Sequence, residues 1–357
     1  MGLKETVSNP YSAWMRDGAS DGDVVVSSRI RLARALADYP FPHRLTPEAA
    51  EEIVHAVELA VKDRRLAEAV GGLELSRAAE LSSLERQILV EKHLASPAFF
   101  QGPAEGRAIG LSDDESVSIM VNEEDHLRIQ VLAPGLQLEQ ALEKANVVDD
   151  ALERTLDYAY SESIGYLTAC PTNVGTGLRA SLMLHLPGLA ITGQVRQVLA
   201  TIGKLGLTVR GLYGEGTEAA GNLFQISNQI TLGRAEEEIV QNLVAVCRQI
   251  IDQERAARRL LHQERPEIVE DRVWRAYGIL RYARLLNSRE AIQYLSDVRL
   301  GIDLGIIKDV SPSMAWTLMV LTRPAFILKY GGELSPHQRD VLRAGLVRET
   351  LAKKKKK

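Results

Sequence analysis

The sequence is poor in cysteine and lacks long apolar runs, and both features restrict where the protein can work. Its two cysteines, Cys170 and Cys247, lie far apart in the sequence, which excludes the disulfide framework of small secreted proteins and indicates a reducing compartment. No apolar stretch approaches the ~18 residues that a membrane-spanning helix needs, and the N-terminus carries no signal-like segment. We therefore expect a cytoplasmic protein with no membrane-embedded part.

The common nucleotide and metal motifs are also missing. Neither G-x-x-x-x-G-K-[ST] nor G-x-G-x-x-G precedes a predicted helix, and no cysteine and histidine spacing matches a structural zinc site. A bound nucleotide would therefore not be held by a P-loop or a Rossmann turn, and the sequence assigns no metal ligands. The formal net charge of −4 argues against direct binding of nucleic acid, because such proteins usually carry a basic excess.

The composition is typical of a globular protein with one large or two ordinary domains. Of the 357 residues, 45% are hydrophobic and 25% are charged. Strand and helix patterns mix without strict alternation up to about residue 262, and only helical patterns follow. We predict an α+β domain over residues 1–262, with a largely antiparallel sheet flanked by helices. A smaller all-α domain over residues 263–352 and a lysine tail over 353–357 complete the prediction.

Local signals predict several individual elements. A helix should begin at Thr46-Pro47, and the Ser82-x-x-Glu85 capping box should begin another. Residues 117–121 and 127–133 alternate like the two strands of a hairpin. Residues 101–116 are expected to form a loop, and residues 190–205 a single helix.

Five arginines come from separate segments, each on a predicted strand or beside a glycine-rich turn: Arg29, Arg31, Arg128, Arg179 and Arg210. Strand alternation would put Arg29 and Arg31 on one face, where two cations repel unless an anion lies between them. Gathered in one pocket, the five would offset the roughly four negative charges of a nucleoside triphosphate. The alternative is that they are solvated charges on strand faces and loops.

Residues 170–181 read Cys-Pro-Thr-Asn-Val-Gly-Thr-Gly-Leu-Arg-Ala-Ser and lead from a glycine-containing turn into a strand. Glycines let backbone N–H groups approach an anion closely, and Arg179 can pair with it through two parallel hydrogen bonds. Taken alone, the stretch fits an ordinary hairpin loop equally well.

In order and content, these segments resemble the catalytic domain of the phosphagen (ATP:guanidino) kinases. The likeness covers about residues 20–255. It rests on four motifs: Ser-Ser-Arg-Ile-Arg at 27–31, Asn-Glu-Glu-Asp-His-Leu-Arg at 122–128, the 170–181 loop, and Val-Arg-Gly-Leu-Tyr-Gly-Glu-Gly-Thr-Glu at 209–218. The resemblance implies ATP and Mg²⁺ as cofactors, and nucleotide contacts from Ser28, Arg29, Arg31, His93, Arg128, Arg179 and Arg210.

The resemblance also implies how the acceptor is handled. Removing a proton from a guanidinium group at neutral pH costs on the order of 8 kcal/mol, so the acceptor must be both oriented and deprotonated. Glu124 and Glu215 match the family's two glutamates, which would grip the guanidinium from two sides while one accepts the proton. Cys170 matches the family's active-site cysteine and would help to hold the acceptor without forming a covalent intermediate.

Two features favour arginine in proteins over a small molecule as the acceptor. Only 26 residues precede Ser27, so the lid-like helical domain of the metabolic kinases is not expected and the acceptor side should be open. Arg-Asp-Val-Leu-Arg-Ala at 339–344 resembles a motif of the family's bacterial protein-arginine kinases. Arg339 and Arg343 would share a helix face, with Asp340 one step round, and bind phosphoarginine at a regulatory site. The alternative is an exposed, salt-bridged helix face.

Our leading hypothesis is thus an ATP-dependent kinase that phosphorylates arginine side chains of proteins. By resemblance, its partners would be substrates with exposed arginines, a zinc-containing activator, a heat-shock repressor that it inactivates and a Clp ATPase that receives the marked proteins. A homodimer or higher homo-oligomer is expected. The alternatives are a small-molecule guanidino kinase and a phosphoarginine-binding adaptor without turnover. Because every catalytic position is retained, the adaptor is disfavoured.

Overall fold

The computed structural model describes residues 3–211 and 219–352. Glu215, which the resemblance assigns to the acceptor, lies outside these residues, as does the lysine tail predicted over 353–357. The prediction of an α+β fold with a largely antiparallel sheet and a helical C-terminal region is confirmed. Within the described residues the last strand ends at Asn228, and only helices follow it.

The strands of the described residues are β1 (Val25–Arg34), β2 (Leu73–Arg77), β3 (Ala108–Ser112), β4 (Val117–Val121), β5 (Leu127–Pro134), β6 (Tyr160–Ser161), β7 (Gly165–Tyr166), β8 (Leu178–His185), β9 (Leu207–Gly211) and β10 (Leu223–Asn228). Eight of them form one sheet in the order β2-β3-β4-β5-β1-β8-β10-β9. Every neighbouring pair in that sheet is antiparallel. The strands β6 and β7 form a separate hairpin.

The α-helices are α1 (Leu3–Thr6), α2 (Pro47–Ala60), α3 (Arg64–Val70), α4 (Ser83–Glu91), α5 (Leu138–Glu153), α6 (Pro187–Ile191), α7 (Val195–Lys204), α8 (Glu236–Glu264), α9 (Pro266–Tyr282), α10 (Ser288–Asp303), α11 (Pro312–Leu321), α12 (Pro324–Gly331) and α13 (Pro336–Ala352). Short 3₁₀ helices lie at Ala13–Met15, Pro42–Arg44, Ala78–Glu80, Ala98–Phe100, Pro171–Asn173 and Ala220–Asn222. Among the described residues, none of the helices combines the length and the apolar character that crossing a membrane requires.

Side-chain caps explain why helices begin where the sequence predicts. The hydroxyl of Thr46 accepts a hydrogen bond from the Ala49 N–H, with Pro47 in the first helical position. Ser82 and Glu85 form a complete capping box at the start of α4, where each side chain accepts from the other residue's backbone. These bonds satisfy N–H groups that have no partner inside the helix. Both predicted helix starts are therefore confirmed.

Two local predictions are wrong, and in both cases a backbone feature explains why. The loop expected over 101–116 contains β3, whose residues are all buried, because it pairs with both β2 and β4. The single helix expected over 190–205 is divided into α6 and α7. Gly193 lies between them with φ of +74°, a left-handed conformation that a continuous right-handed helix does not contain.

The sheet separates two hydrophobic cores. On one face, Ile30 and Leu32 of β1 pack in a core that includes residues of α2, α5 and α8. On the other face, Met120 and Leu132 belong to a second core, which includes residues of α4 and of the C-terminal helices α9 to α13. The second face is therefore covered partly by the C-terminal helical region, and the functional site lies on this face.

Buried polar contacts fix the packing of α8 and α10. The carboxylate of Glu254 on α8 accepts hydrogen bonds from the backbone N–H groups of Gly188 and Leu189, both at 2.8 Å. His185 at the end of β8 forms a 2.8 Å hydrogen bond with the hydroxyl of Ser296 on α10. Because a buried polar group without a partner is costly, these bonds fix how the helices pack on the sheet.

Candidate active site

A cavity of about 440 Å³ opens over the central strands of the sheet, on the face opposite α5. The strand register explains its lining. Arg31 on β1 lies directly opposite Arg179 on β8 and opposite Gln130 on β5. Residues directly opposite each other in neighbouring strands point to the same face. The antiparallel register thus brings side chains from distant parts of the sequence into one cavity.

All five arginines that the sequence singles out line this cavity, together with a sixth. The arginines are Arg29, Arg31, Arg128, Arg179, Arg210 and Arg323. Glu91 is the one carboxylate among the described lining residues. The local charge is therefore strongly positive although the whole chain is slightly acidic, and the cavity suits a polyanionic ligand.

The pKa values of these arginines reflect burial and mutual repulsion. Burial is the main cause that lowers the pKa of Arg29 to about 10, with smaller contributions from Arg179 and Arg128. The pKa of Arg31 lies well below its ordinary value, first because of burial and then because of Arg29 and the other nearby arginines. Like charges held this close destabilise the empty cavity. An anion bound between them would relieve that repulsion.

Neutral side chains hold several of the arginines in place. Arg29 donates to the Gln225 side-chain oxygen at 2.7 Å and to the Ser181 hydroxyl at 3.3 Å. Among the described residues, the buried Nε atoms of Arg31 and Arg179 have no hydrogen-bond partner. Neutral partners orient a guanidinium group without cancelling its charge, so these donors retain capacity for an anionic ligand.

His93 and Trp14 lie at one end of the cavity region. His93 directly follows the α4 cap with φ of +64°, and its ring lies 5.8 Å from the Trp14 ring in an edge-to-face arrangement. Burial, together with Arg29 and Arg323, lowers the pKa of His93 to about 3, so the imidazole is neutral at physiological pH. A neutral ring pair of this kind can pack against a planar, uncharged ligand group. The sequence interpretation did not identify Trp14.

The turn between β4 and β5 carries three consecutive acidic residues beside one arginine. Arg128 donates to Glu123 at 2.7 Å and to Glu124 at 3.0 Å. The two glutamates differ in access, because the side chain of Glu123 is 4% exposed and that of Glu124 is 45% exposed. Glu124 is therefore the one that solvent or an incoming group can reach.

Asp125 connects this turn to the cysteine loop. Its Oδ1 accepts a hydrogen bond from the backbone N–H of Ala169 at 2.6 Å, one residue before Cys170. Burial raises the pKa of Asp125 to about 6, and the Ala169 N–H opposes that rise. Burial, followed by Arg210 and Arg128, lowers the pKa of Arg179, and Cys170 and Glu124 oppose that shift. The turn, the thiol and the cavity arginine thus form one site, although Asp125 was not predicted to contribute.

The cysteine loop itself is held by Arg34 and by a close backbone approach at Gly177. The Arg34 guanidinium lies 3.6 Å from the centre of the Tyr166 ring and donates to the Thr176 carbonyl oxygen at 2.9 Å. A Cβ atom at Gly177, where φ is +64°, would lie 2.5 Å from the carbonyl oxygen of Ala33. Only glycine fits this close approach, so the loop follows one path past β1.

The structure turns the side chain of Ser28, a predicted nucleotide contact, away from the cavity. Ser28 is fully buried, and its hydroxyl donates to the Gly135 carbonyl oxygen at 2.7 Å and accepts from the Gln137 N–H at 2.9 Å. The alternation that brings Arg29 and Arg31 to the cavity turns Ser28 to the opposite face. Its neighbour Ser27 lines a smaller pocket beside His93.

Arg210 is the last of the predicted nucleotide contacts. Arg210 lines the cavity near the end of β9, just before the segment that contains Glu215 and lies outside the described residues.

In α13, Arg343 is buried, and its guanidinium donates to the carbonyl oxygens of Thr322 and Leu286 and to Asp340. Arg339 and Asp340 are partly exposed. The donors of Arg343 are thus occupied within the helical region, whereas Arg339 on the same helix keeps some exposure.

Comparisons with known proteins agree with this geometry. Residues 52–257 match the model of the ATP:guanido phosphotransferase C-terminal catalytic domain, and residues 266–357 match that of the protein-arginine kinase McsB C-terminal domain. The chain is 60% identical over 352 residues to a protein-arginine kinase of Desulforamulus reducens, covering 98% of each chain. It is 58% identical over 353 residues to one of Pelotomaculum thermopropionicum, covering 99% of each chain.

A solved structure shows a similar fold. The crystal structure of a lombricine kinase matches with a TM-score of 0.57 and 23% identity, covering 71% of this chain and 75% of that one. At that identity the match supports the fold alone.

Proposed function

Because the chain belongs to the ATP:guanido phosphotransferase family and, within it, to the protein-arginine kinases, we propose that it transfers the γ-phosphoryl group of ATP to a guanidino nitrogen of arginine residues in proteins. The observation that carries this proposal is the cavity lined by Arg29, Arg31, Arg128, Arg179 and Arg210. Glu124 pairs with Arg128 of that lining, and the neighbouring Asp125 is hydrogen-bonded to the loop that carries Cys170. The arginines thus offer positive charge to a polyanion, and the neighbouring Glu124 offers negative charge to a cationic acceptor.

On the nucleotide side, the arginines bind the triphosphate. Phosphoryl transfer needs positioning and stabilisation of charge on the phosphate oxygens more than covalent chemistry from the protein. Planar guanidinium groups suit this task because each can grip two oxygens while keeping its charge. The neutral rings of His93 and Trp14 contact the nucleotide base at the other end.

On the acceptor side, Glu124 and Glu215 hold the substrate guanidinium in line with the γ-phosphorus. As the new N–P bond forms and the bond to the β-phosphate oxygen breaks, one of the two carboxylates accepts the proton and ADP leaves. Cys170 stabilises the positive guanidinium electrostatically. Support for Glu124 comes from its exposure beside Arg128, which fixes the turn that carries it.

Mg²⁺ enters with the nucleotide in this proposal. The described residues contain no group of three histidine, cysteine, aspartate or glutamate side chains that could hold a metal ion. Magnesium keeps several waters and takes phosphate oxygens as ligands, so the nucleotide would supply its ligands. Its chemical contribution when bound is to offset charge on the phosphates.

The resemblance to protein-arginine kinases extends the proposal to cellular partners. The marked proteins pass to a Clp protease, a heat-shock repressor is inactivated, and a zinc-containing activator regulates the kinase, which works in the cytoplasm as a homo-oligomer. Arg339 and Asp340, which are partly exposed on α13, bind phosphoarginine at a regulatory site. Arg343 supports that site by fixing Asp340 through their ion pair at 2.5 Å.

A direct assay tests the central activity. The protein is incubated with ATP and either an arginine-rich protein or free L-arginine, and products are analysed by mass spectrometry under conditions that preserve the acid-labile P–N bond. We expect phosphoarginine on the protein. Labelling of free arginine alone would instead indicate a small-molecule guanidino kinase. ATP binding without turnover on either acceptor would indicate a phosphoarginine-binding adaptor.

A further inference from the structure

The geometry points to Arg323 as a nucleotide ligand that the C-terminal helical region contributes to the catalytic cavity. Arg323 immediately precedes α12 and lines the same cavity as Arg29 and Arg31. It lies outside residues 52–257, which match the catalytic-domain model, and within residues 266–357, which match the C-terminal domain model. The inference rests on the proposed function, since it assigns a further contact to the same ATP site.

The position of Arg323 is set by a carboxylate on the catalytic side. Glu91, the last residue of α4, lines the cavity. Both of its carboxylate oxygens lie 3.1 Å from the Ala325 N–H, which donates to them at the beginning of α12. A carboxylate at a helix N-terminus also interacts favourably with the helix dipole. This contact holds the start of α12, and with it Arg323, against the cavity wall.

The electrostatics indicate where Arg323 lies in the cavity. It helps to lower the pKa of His93, after burial and Arg29, so its charge is close to the imidazole. The charge of Arg323 also acts on Glu91. Burial raises the pKa of Glu91 to about 7, and the Ala325 N–H and Arg323 oppose that rise. Arg323 therefore adds positive charge at the His93 end, beside Arg29, where phosphates nearest the nucleoside would lie.

This placement connects nucleotide binding to the C-terminal region. A ligand that touches Arg323 bridges the sheet arginines and the start of α12, so it should strengthen the packing of α12 on α4. Anything that displaces α12 should in turn weaken nucleotide binding, because coupling between two sites is reciprocal. The helical region is then part of the ATP site as well as the carrier of the proposed phosphoarginine site.

The first experiment measures nucleotide affinity by calorimetry for the wild type, Arg323→Ala and Arg323→Gln. The matched control is Arg275→Ala, since the Arg275 side chain is 75% exposed and pairs with Asp271 away from the cavity. We expect ATP to bind on the order of tenfold more weakly to both Arg323 variants, and the control to bind ATP like the wild type. Affinity for adenosine, measured by competition, should not change.

The comparison of ATP with adenosine removes the effect of misfolding. A smaller folded fraction would weaken both ligands equally, whereas loss of a phosphate contact weakens ATP alone. If the wild type binds ATP and the Arg323 variants keep the wild-type ratio of ATP to adenosine affinity, the inference is wrong and the proposed function stands. If the wild type does not bind ATP, the proposed function itself fails.

Hydrogen exchange supplies a second readout that a purely structural role would not change. In the wild type, ATP should slow amide exchange in α12, and in Arg323→Ala this ATP-dependent protection should be lost even where basal exchange is similar. Equal protection by ATP in both proteins would contradict the coupling.

Discussion

The proposed phosphate side and the proposed acceptor side of the site are built in different ways. Arg29, Arg31 and Arg179 are strand residues, and the antiparallel register sets their neighbours. Glu124 and Cys170 lie in turns outside the strands, where few ladder hydrogen bonds act on them. The phosphate side is therefore fixed by the sheet itself, whereas the acceptor side depends on side-chain contacts between loops.

This difference has an energetic consequence. On the phosphate side, cations directly opposite each other repel, so the arrangement lowers the stability of the empty protein and is relieved by an anion. On the acceptor side, Asp125 and Arg34 connect the loops through hydrogen bonds to Ala169 and Thr176. In the proposed function, the rigid charge on one side would bind ATP, and the cross-linked loops on the other would admit a protein side chain.

Among these variants Glu124→Gln should show the largest effect, because it should impair turnover and leave ATP binding unchanged. Loss of the carboxylate removes one orienting and proton-accepting group, so kcat for protein arginine should fall by about 10²- to 10⁴-fold. ATP affinity should stay near the wild-type value, because Glu124 is not among the cavity-lining residues. Glu139→Gln, an exposed change on α5, is the matched control. Normal turnover by Glu124→Gln in steady-state assays would refute the acceptor role.

Arg31→Met should weaken ATP binding and at the same time stabilise the folded protein. ATP should bind about 10- to 100-fold more weakly, since charge-assisted hydrogen bonds are lost. The free energy of unfolding should rise by about 1 kcal/mol, because removal of one half-buried cation relieves repulsion with Arg29 and Arg179. Urea unfolding and calorimetry measure the two effects. Arg64→Met, at a side chain that is 91% exposed, is the control, and a destabilised Arg31→Met would contradict the repulsion argument.

Asp125→Asn should show the pH dependence of the loop contact. The pKa of Asp125 is raised to about 6 by burial, so the folded state disfavours the ionised form. The wild type should therefore lose about 2 kcal/mol of unfolding free energy relative to Asp125→Asn as pH rises from about 4 to about 7. Urea unfolding at both pH values measures this. A stability difference that stays constant with pH would show that Asp125 titrates normally.

Ser28→Ala should have the smallest effect and should leave the nucleotide unaffected. Loss of the hydroxyl leaves the Gln137 N–H without its acceptor, so unfolding free energy should fall by about 1 kcal/mol. ATP affinity should not change, because Ser28 faces the core. Ser27→Ala on the cavity face is the matched variant. A larger loss of ATP binding in Ser28→Ala than in Ser27→Ala would contradict the assignment of the two faces.

Much of this molecule follows local rules that act over a few residues. Side-chain alternation with a period of two puts Arg29 and Arg31 on one face, and caps at Thr46 and Ser82 begin helices. Such rules predicted most central strands and five of the six arginines that line the cavity. The same rule explains why Ser28 faces the core, since it lies one position out of phase with Arg29 and Arg31.

The sequence by itself determined the positive strand faces, the main helix starts and the family motifs, because these depend on periodicity and short-range hydrogen bonds. Only the tertiary structure decided that Glu91 contacts Ala325, 234 positions away, that Asp125 holds Ala169, and that Arg343 is enclosed by carbonyl oxygens. Contacts of this kind depend on how whole elements pack on one another. No local pattern encodes that packing, since the same side chains would fit a solvated surface equally well.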